Sequence, residues 1–259
     1  MSKPKQIEVT AENYFSPEVE LTYFGHSQFC NFMKCEAAEM ARIRGDYEEP
    51  KTTALLIGSY VDAYFEGTSA KFAENNPEIF TRSGELRAEF RRAEKIIDRI
   101  ERDSMMMKYM SGQKQVIKTG EIFGVPAKIK IDSYHPGICL VDLKVMKDFE
   151  PIYVEGQGRV PFVEAWGYDI QAAFYQEVEG NHLPFYIVAA TKEEEPDIKI
   201  IQLSQHVIDI AKKIIESKIQ RYVDIKKGLI EPERCGKCNY CKRTKVIDEI
   251  EIYDGWGDE

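Results

Sequence analysis

Between residues 115 and 145 the chain keeps a two-residue alternation long enough to dictate strands, yet those strands carry charges where a core strand should carry none. "QVIKTGEIFGVPAKIKIDSY" and "GICLVDLKV" alternate apolar and polar residues, the pattern of a half-buried strand rather than a helix. Gly124-Val125-Pro126 and His135-Pro136-Gly137 read as the turns between them. Successive side chains on a strand point to opposite faces. Ile129 and Ile131 therefore share one face of the middle strand, and Lys128, Lys130 and Asp132 share the other. On the third strand Asp142 and Lys144 fall on the face of Ile138 and Leu140, opposite Cys139, Val141, Leu143 and Val145. A buried charge is costly unless it is paired or bound to a metal. A structural ion pair at the strand end accounts for Asp142 and Lys144 taken alone. If the hairpin pairs as its turn suggests, Asp132 joins them on one side. Two neighbouring carboxylates repel unless a cation lies between them. Hard oxygen ligands suit Mg²⁺ or Mn²⁺, usually completed by waters and substrate phosphates. A lysine beside such an ion suits metal-assisted hydrolysis of a phosphodiester.

The rest of the chain supplies helices. His26 to Arg44 reads as one helix with Ser27 as its cap, and Thr52 to Glu66 as another with Thr52 or Thr53 as cap. Residues 82 to 103 form a highly charged helix candidate, followed by Met105 to Met107, which suit a flexible apolar patch or core filling. After the strands come the helix "YDIQAAFYQEV", two further strands "PFYIVAA" and "IKIIQL", and a long helix capped by Ser204. The order is helices, three strands, a helix, two strands and a helix, so the fold class is a mixed α/β core with an N-terminal helical part.

Composition sets limits on function. The 259 residues, 43% hydrophobic and 31% charged, suit a globular protein with a full core. No stretch reaches the roughly 18 apolar residues of a membrane span. The segment "MSKPKQIEVTAENYFS" lacks an apolar signal core, so the expected location is the cytoplasm. Thirty-five basic residues against 44 acidic ones give a net charge of −9. That argues against coating nucleic acid through bulk charge and leaves room only for a local basic groove. Six cysteines in a cytoplasmic chain do not suggest a disulfide framework. Cys235, Cys238 and Cys241 are spaced so that their thiolates can converge on one metal centre, zinc or iron–sulfur. A fourth ligand would come from Cys30, Cys35 or Cys139.

Asp132, a gap, then Asp142-Leu143-Lys144 resembles the signature of the PD-(D/E)XK nucleases. Three further features are similar to the RecB-like branch and its RecE-type, exonuclease VIII-like phage and prophage members. Gly58-x3-Asp62-x3-Glu66 stands where that branch carries Gly-x3-His. Gln171 and Tyr175 match its Gln-x3-Tyr motif. "ERCGKCNYCK" is similar to its C-terminal cysteine cluster, and "SQFCNFMKC" to its early Ser–Phe–Cys pattern. The features keep the family's order over residues 27 to 241.

The resemblance implies a restriction-endonuclease-like core, a central mixed sheet flanked by helices. It would form one nuclease domain over residues 1 to 259, with a helical region at about 20 to 112, a catalytic core at about 113 to 228 and a cysteine tail at about 229 to 259. It implies Asp132, Asp142 and Lys144 as catalytic residues, and Asp62, Asp132, Asp142 and the Leu143 carbonyl as ligands of Mg²⁺ or Mn²⁺. Asp62 departs from the family's histidine and reads equally as a helix-surface residue. Glu66 is a solvated or outer residue. Gln171 and Tyr175 would contact DNA or position the site, or else pack in the core. Lys128 and Lys130 would track phosphates or solvate the strand. Lysines and arginines at 87 to 102 and 212 to 227 would add to a groove or form ordinary solvated faces. Cys35 would join Cys235, Cys238 and Cys241 in a 4Fe–4S cluster, with Zn²⁺ as the alternative, while Cys30 and Cys139 stay buried thiols.

The expected activity is metal-dependent exonucleolytic hydrolysis of DNA with free ends in phage-type recombination or repair. A single-strand annealing protein is the implied partner, and a homo-oligomer is consistent with the class. The competing expectation is a non-catalytic nucleic-acid-binding or structural module that keeps the fold and a metal staple.

Overall fold

In the computed structural model, residues 7–250 and residue 252 are described. The first six residues and the acidic end of the tail lie outside them. Three short helices come first: α1 (Pro17–Thr22), α2 (His26–Lys34) and α3 (Glu36–Arg44). Next come α4 (Thr53–Glu66), α5 (Ser69–Asn75), α6 (Arg92–Glu101) and α7 (Ser104–Tyr109). The strands β1 (Gln113–Ile122), β2 (Val125–His135) and β3 (Cys139–Met146) follow, then a small hairpin of β4 (Ile152–Val154) and β5 (Gly158–Val160). The chain continues through α8 (Phe162–Ala165), α9 (Tyr168–Glu179), β6 (Phe185–Thr191), β7 (Ile198–Gln202), α10 (Gln205–Lys226) and α11 (Asn239–Arg243).

Five strands form one mixed sheet in the order β1-β2-β3-β6-β7, in which only β3 and β6 run parallel. Helices cover both faces. On one, Ile129, Ile131, Leu140 and Ile187 pack against Phe29, Phe174 and Tyr222 of α2, α9 and α10. On the other, Val141, Leu143 and Val188 pack against Ile57, Val61, Ile96 and Ile100 of α4 and α6. The alternation of β3 is thus as its sequence dictates, except that Ile138 is 68% exposed in the turn before it. Thr52 caps α4 by accepting from Leu55 N–H at 3.2 Å, and Ser204 caps α10 through Val207 N–H at 3.4 Å.

Two expected helices are shorter than the sequence suggests. The run from His26 to Arg44 breaks at Cys35, whose extended backbone (φ −166°) separates α2 from α3. Gly25, not Ser27, stands at its N-cap. Residues 82 to 91 make a turn at left-handed Gly84 (φ 83°), a Phe80–Leu86 bridge and a single 3₁₀ turn. Only α6 remains of that charged candidate, because its apolar residues Ile96, Ile97 and Ile100 keep helical spacing and bury together.

Strands β2 and β3 pair over only three residues, Ser133–His135 against Val141–Cys139, and then diverge. Further along, the vacated edge of β2 is taken by Phe24, whose N–H and C=O bond Pro126 O and Lys128 N at 2.8 Å each. The sheet therefore forks between β2 and β3. Asp132 and Asp142 are the first residues past the last ladder pair on either arm.

Candidate active site and cysteine centre

Asp132 sits at a kink. Gln115, the residue facing it across β1, has a left-handed backbone (φ 52°), and this pair drops out of an otherwise regular ladder. The facing of β2 switches there, with Ile131 and Tyr134 both in the α9-side core. Simple alternation put Asp132 on one strand face with Asp142 and Lys144; it lies instead at the crossover between the two layers, because the kink resets the period. Its carboxylate replaces the missing ladder, accepting from Leu143 N–H at 3.0 Å and from Gln115 Nε2 at 3.1 Å.

Asp142 points toward α9 and is only 2% exposed. Gln171 and Tyr175, one turn apart on α9, meet it there. Gln171 Nε2 donates to Asp142 Oδ1 at 2.5 Å. Tyr175 Oη lies 3.4 Å from the same oxygen and donates to the Lys130 carbonyl at 2.5 Å. That carbonyl lies in the fork, where β3 no longer reaches β2, so Tyr175 satisfies it. Both α9 side chains are buried and act inside the protein. Lys144 forms an ion pair with Asp142 Oδ2 and stands 5.1 Å from the centroid of the Tyr168 ring. Its geometry to that oxygen is not that of a hydrogen bond, so Asp142 Oδ2 stays a buried acceptor without one, as does Gln171 Oε1.

Asp62 of α4 is half-buried and shares a small recess with Glu66, Gln115, Asp132 and Leu143. It is turned toward the site rather than lying on an open helix surface. Glu66 accepts from Thr68 at 3.3 Å. Burial, then the Asp132 and Asp142 charges, push the Asp62 carboxyl well above the usual carboxylate range, against the pull of Lys144. Burial and Asp132 push Asp142 up to about 7. Burial works to lower the Lys144 pKa, but Asp142 and Asp132 outweigh it and hold the ammonium charged. The site carries more negative charge than one lysine offsets, which is the donor set a hard divalent cation relieves.

The cysteines converge most closely. Sγ atoms of Cys35, Cys235, Cys238 and Cys241 all lie within 4.8 Å of one another, with Cys35 and Cys241 3.6 Å apart. The extended Cys35 that breaks the first helix presents its sulfur to the tail, and Ala37 N–H donates to Glu233 O at 3.0 Å beside it. Backbone N–H groups of Cys238 and Cys241 approach Cys235 and Cys238 sulfurs at 3.4 Å each. Cys139 is buried and Cys30 half-buried, both apart from this group.

Several basic residues have structural work. Lys128 is 1% exposed and pairs with Glu20 at 2.6 Å, so it does not track phosphates. Lys212 pairs with Glu177 at 2.8 Å and Arg221 with Glu36 at 2.7 Å, which removes them from a groove. Sequence reasoning missed Gln115, Tyr168 and His26. Tyr168 lies three residues before Gln171 on the same helix, a spacing that could have found it. His26 lies with its ring 6.3 Å from that of Tyr175, and burial, with Lys144 and Lys34 nearby, lowers its pKa to about 3, so the imidazole is neutral. Gln115 had no periodic signal.

A forked mixed sheet with an aspartate on each arm, a lysine two residues on and a glutamine–tyrosine helix behind defines a protein of the PD-(D/E)XK class. The sequence profile described as "PDDEXK-like domain of unknown function (DUF3799)" matches residues 25–244, and the chain belongs to that family. It is similar to a solved structure of a "Putative exonuclease" from Eubacterium rectale, with 46% identity over 95% of this chain and 97% of that one, and a TM-score of 0.91. No curated protein matches it significantly.

Proposed function

We propose that this protein is a metal-dependent deoxyribonuclease that hydrolyses phosphodiester bonds from the free ends of DNA. The observation that carries this reading is the Asp142 carboxylate, buried and held by Gln171 and Lys144, at the mouth of a fork whose other arm presents Asp132. Burying two carboxylates and a lysine costs stability, and a charge-based reaction explains the cost. Asp62, Asp132, Asp142 and the Leu143 carbonyl are suited to Mg²⁺ or Mn²⁺, and Asp142 Oδ2, held only by its ion pair with Lys144, and the unpartnered Gln171 Oε1 fit an ion with its waters. Bound there, the ion supplies Lewis acidity toward a phosphate oxygen. Lys144 holds a positive charge against the phosphate and orients a water beside it. Gln171 and Tyr175 fix the Asp142 carboxylate, and Gln115 and Leu143 N–H fix Asp132.

The description of the Eubacterium rectale protein supports end-directed cleavage, and the RecE-type motifs support phage-type recombination or repair beside a single-strand annealing protein. One nuclease domain acting in the cytoplasm, alone or as a homo-oligomer, accords with this reading. Among the described residues no helix is long and apolar enough to cross a membrane.

For the cysteines the sulfur spacing favours a different centre from the one the resemblance implies. A tetrahedral ion with Zn–S bonds of about 2.3 Å spreads its four sulfurs about 3.8 Å apart, close to the 3.6 and 3.9 Å of Cys35–Cys241 and Cys235–Cys241. A four-iron cube holds its thiolates much farther apart than this, so the spacing supports one zinc ion as a structural staple.

The reading is tested by incubating end-labelled linear DNA and covalently closed circular DNA with the protein and Mg²⁺ or Mn²⁺. Loss of label from linear DNA alone is the expected result. An inert protein that also binds no divalent ion by calorimetry would favour the non-catalytic module instead.

A further inference from the structure

A cavity of about 1300 Å³ opens beside the carboxylates and runs from Asp62, Leu143 and Lys144 toward Trp166. It exceeds the roughly 300–1,000 Å³ of a small-molecule site and is large enough for a short run of nucleotides. Its walls are the first half of α4, the start of α6 and the elbow between α8 and α9, and Arg91, Arg92, Lys95 and Lys147 stand around it. Six basic side chains line it against the four acids Glu49, Asp62, Glu89 and Glu194, a small basic excess in a chain of net charge −9. Arg92 and Lys95 pair directly with Glu194 at 3.7 and 2.5 Å, so the rim is partly held in place by its own acid.

Trp166 is 52% exposed on this wall, and its indole has no aromatic ring partner among the described residues. Its ring therefore leaves an aromatic face open toward the cavity, free to stack on a planar group. The backbone that presents it is pinned. Gly167 is left-handed (φ 72°), and a Cβ there would fall 2.7 Å from Cys30 Sγ. The elbow therefore requires glycine, and it sets Trp166 and Tyr168 on either side of Gly167, both lining the cavity, with Tyr168 against Lys144. Leu55, 56% exposed, lies on the same cavity from α4.

We infer that this cavity takes an unpaired DNA strand, and that Trp166 is the stacking platform that positions a base near the scissile phosphate. The inference rests on the nuclease reading and adds the strand class and a positioning residue to it. Asp62 and Lys144 line the cavity together with Trp166, and a base can lie flat on the Trp166 ring only after it has left its own stack, which an unpaired strand allows. A basic rim with an aromatic face is the common arrangement for single strands, because every base has a π face and each stacked base adds binding. The strand is thus separated over its last few nucleotides before hydrolysis.

The test uses the full chain carrying Asp132→Asn, which removes turnover and leaves the cavity wall intact. Titration with a five-nucleotide oligothymidylate should quench tryptophan fluorescence. Trp166→Phe in that background should abolish the quench and keep the affinity, since phenylalanine still stacks. Trp166→Ala should raise Kd by about 10-fold or more. An abasic oligomer should bind the Trp166→Ala and parent proteins equally, and a duplex with both ends closed by hairpins should give no quench. Retained affinity in Trp166→Ala, a quench that survives Trp166→Phe and so reports Trp256, or equal quenching by the closed duplex would each overturn the inference. Because binding is read without turnover, a wild-type protein that fails to cut DNA sinks the nuclease reading separately.

Discussion

At the scale of single residues the proposed mechanism divides the site into groups that would do chemistry and groups that hold them. Replacing Lys144 by Ala, or Asp132 by Asn, should lower hydrolysis by about 100-fold or more. Asp132→Asn should shift thermal melting little, since Asp132 is half-buried, whereas Lys144→Ala leaves the buried Asp142 without its counter-charge and should melt lower. Lys144→Ala at wild-type turnover, measured on end-labelled linear DNA, would remove the lysine from the mechanism. Asp62→Ala should weaken Mn²⁺ binding by calorimetry, and an unchanged isotherm would return Asp62 to a structural role. Asp142 and Lys144 were legible in the sequence because charge in an apolar strand has few physical explanations. Asp132 was legible as a residue and not as a position, since the kink opposite Gln115 resets the alternation that was used to place it. Gln115 and His26 were not legible, because their roles arise from approach in space across elements and leave no period in the chain.

At the scale of elements the fork between β2 and β3 is what α9 serves. Tyr175 closes the open edge by bonding the Lys130 carbonyl, so Tyr175→Phe should destabilise the protein by about 1–3 kcal/mol in urea unfolding, the cost of a buried unsatisfied acceptor. Gln171→Ala should cost more in turnover than in stability, because it releases the carboxylate proposed to be catalytic and leaves the fork closed. Equal losses in both measurements for Gln171→Ala would make it a packing residue. The five strands of the main sheet, α4, α9 and α10 could be read from the sequence since each keeps its period, and α4 and α10 also carry their caps. The first helix was misread because nothing in "SQFCNFMKCEAAEMA" breaks helical periodicity. Its break is made by Cys35 turning to the tail, a tertiary demand that overrides local preference.

At the scale of the whole molecule two long-range devices bind the layers. Lys226 of α10 donates to the Tyr23 carbonyl at 3.3 Å and to Gln28 Oε1 at 3.1 Å. Burial lowers its pKa to about 7, with Lys128 and Arg42 adding to the effect and Glu20 and Glu39 opposing it. The folded state then binds fewer protons than the unfolded chain between about pH 7 and the ordinary lysine value, so this residue makes stability rise with pH across that window. Lys226→Met should flatten the rise of melting temperature from pH 7 to 9, and an unchanged slope would show that another group governs it. The second device is the cysteine centre. Cys35→Ser should lose metal and melt lower in one step. Metal analysis should find about one zinc per chain, and a brown protein prepared without oxygen would instead establish iron. The four sulfurs join positions 206 residues apart, and that separation sets an order of events in synthesis. The residues of the proposed active site, Asp62 to Tyr175, are all synthesised before Cys235, Cys238 and Cys241, so a nascent chain carries them while α2 and α3 still lack their clasp. The fold can close on itself only once the last cysteine has emerged to meet Cys35, and a polypeptide interrupted before it should be found by proteolysis with α2 and α3 cleaved first.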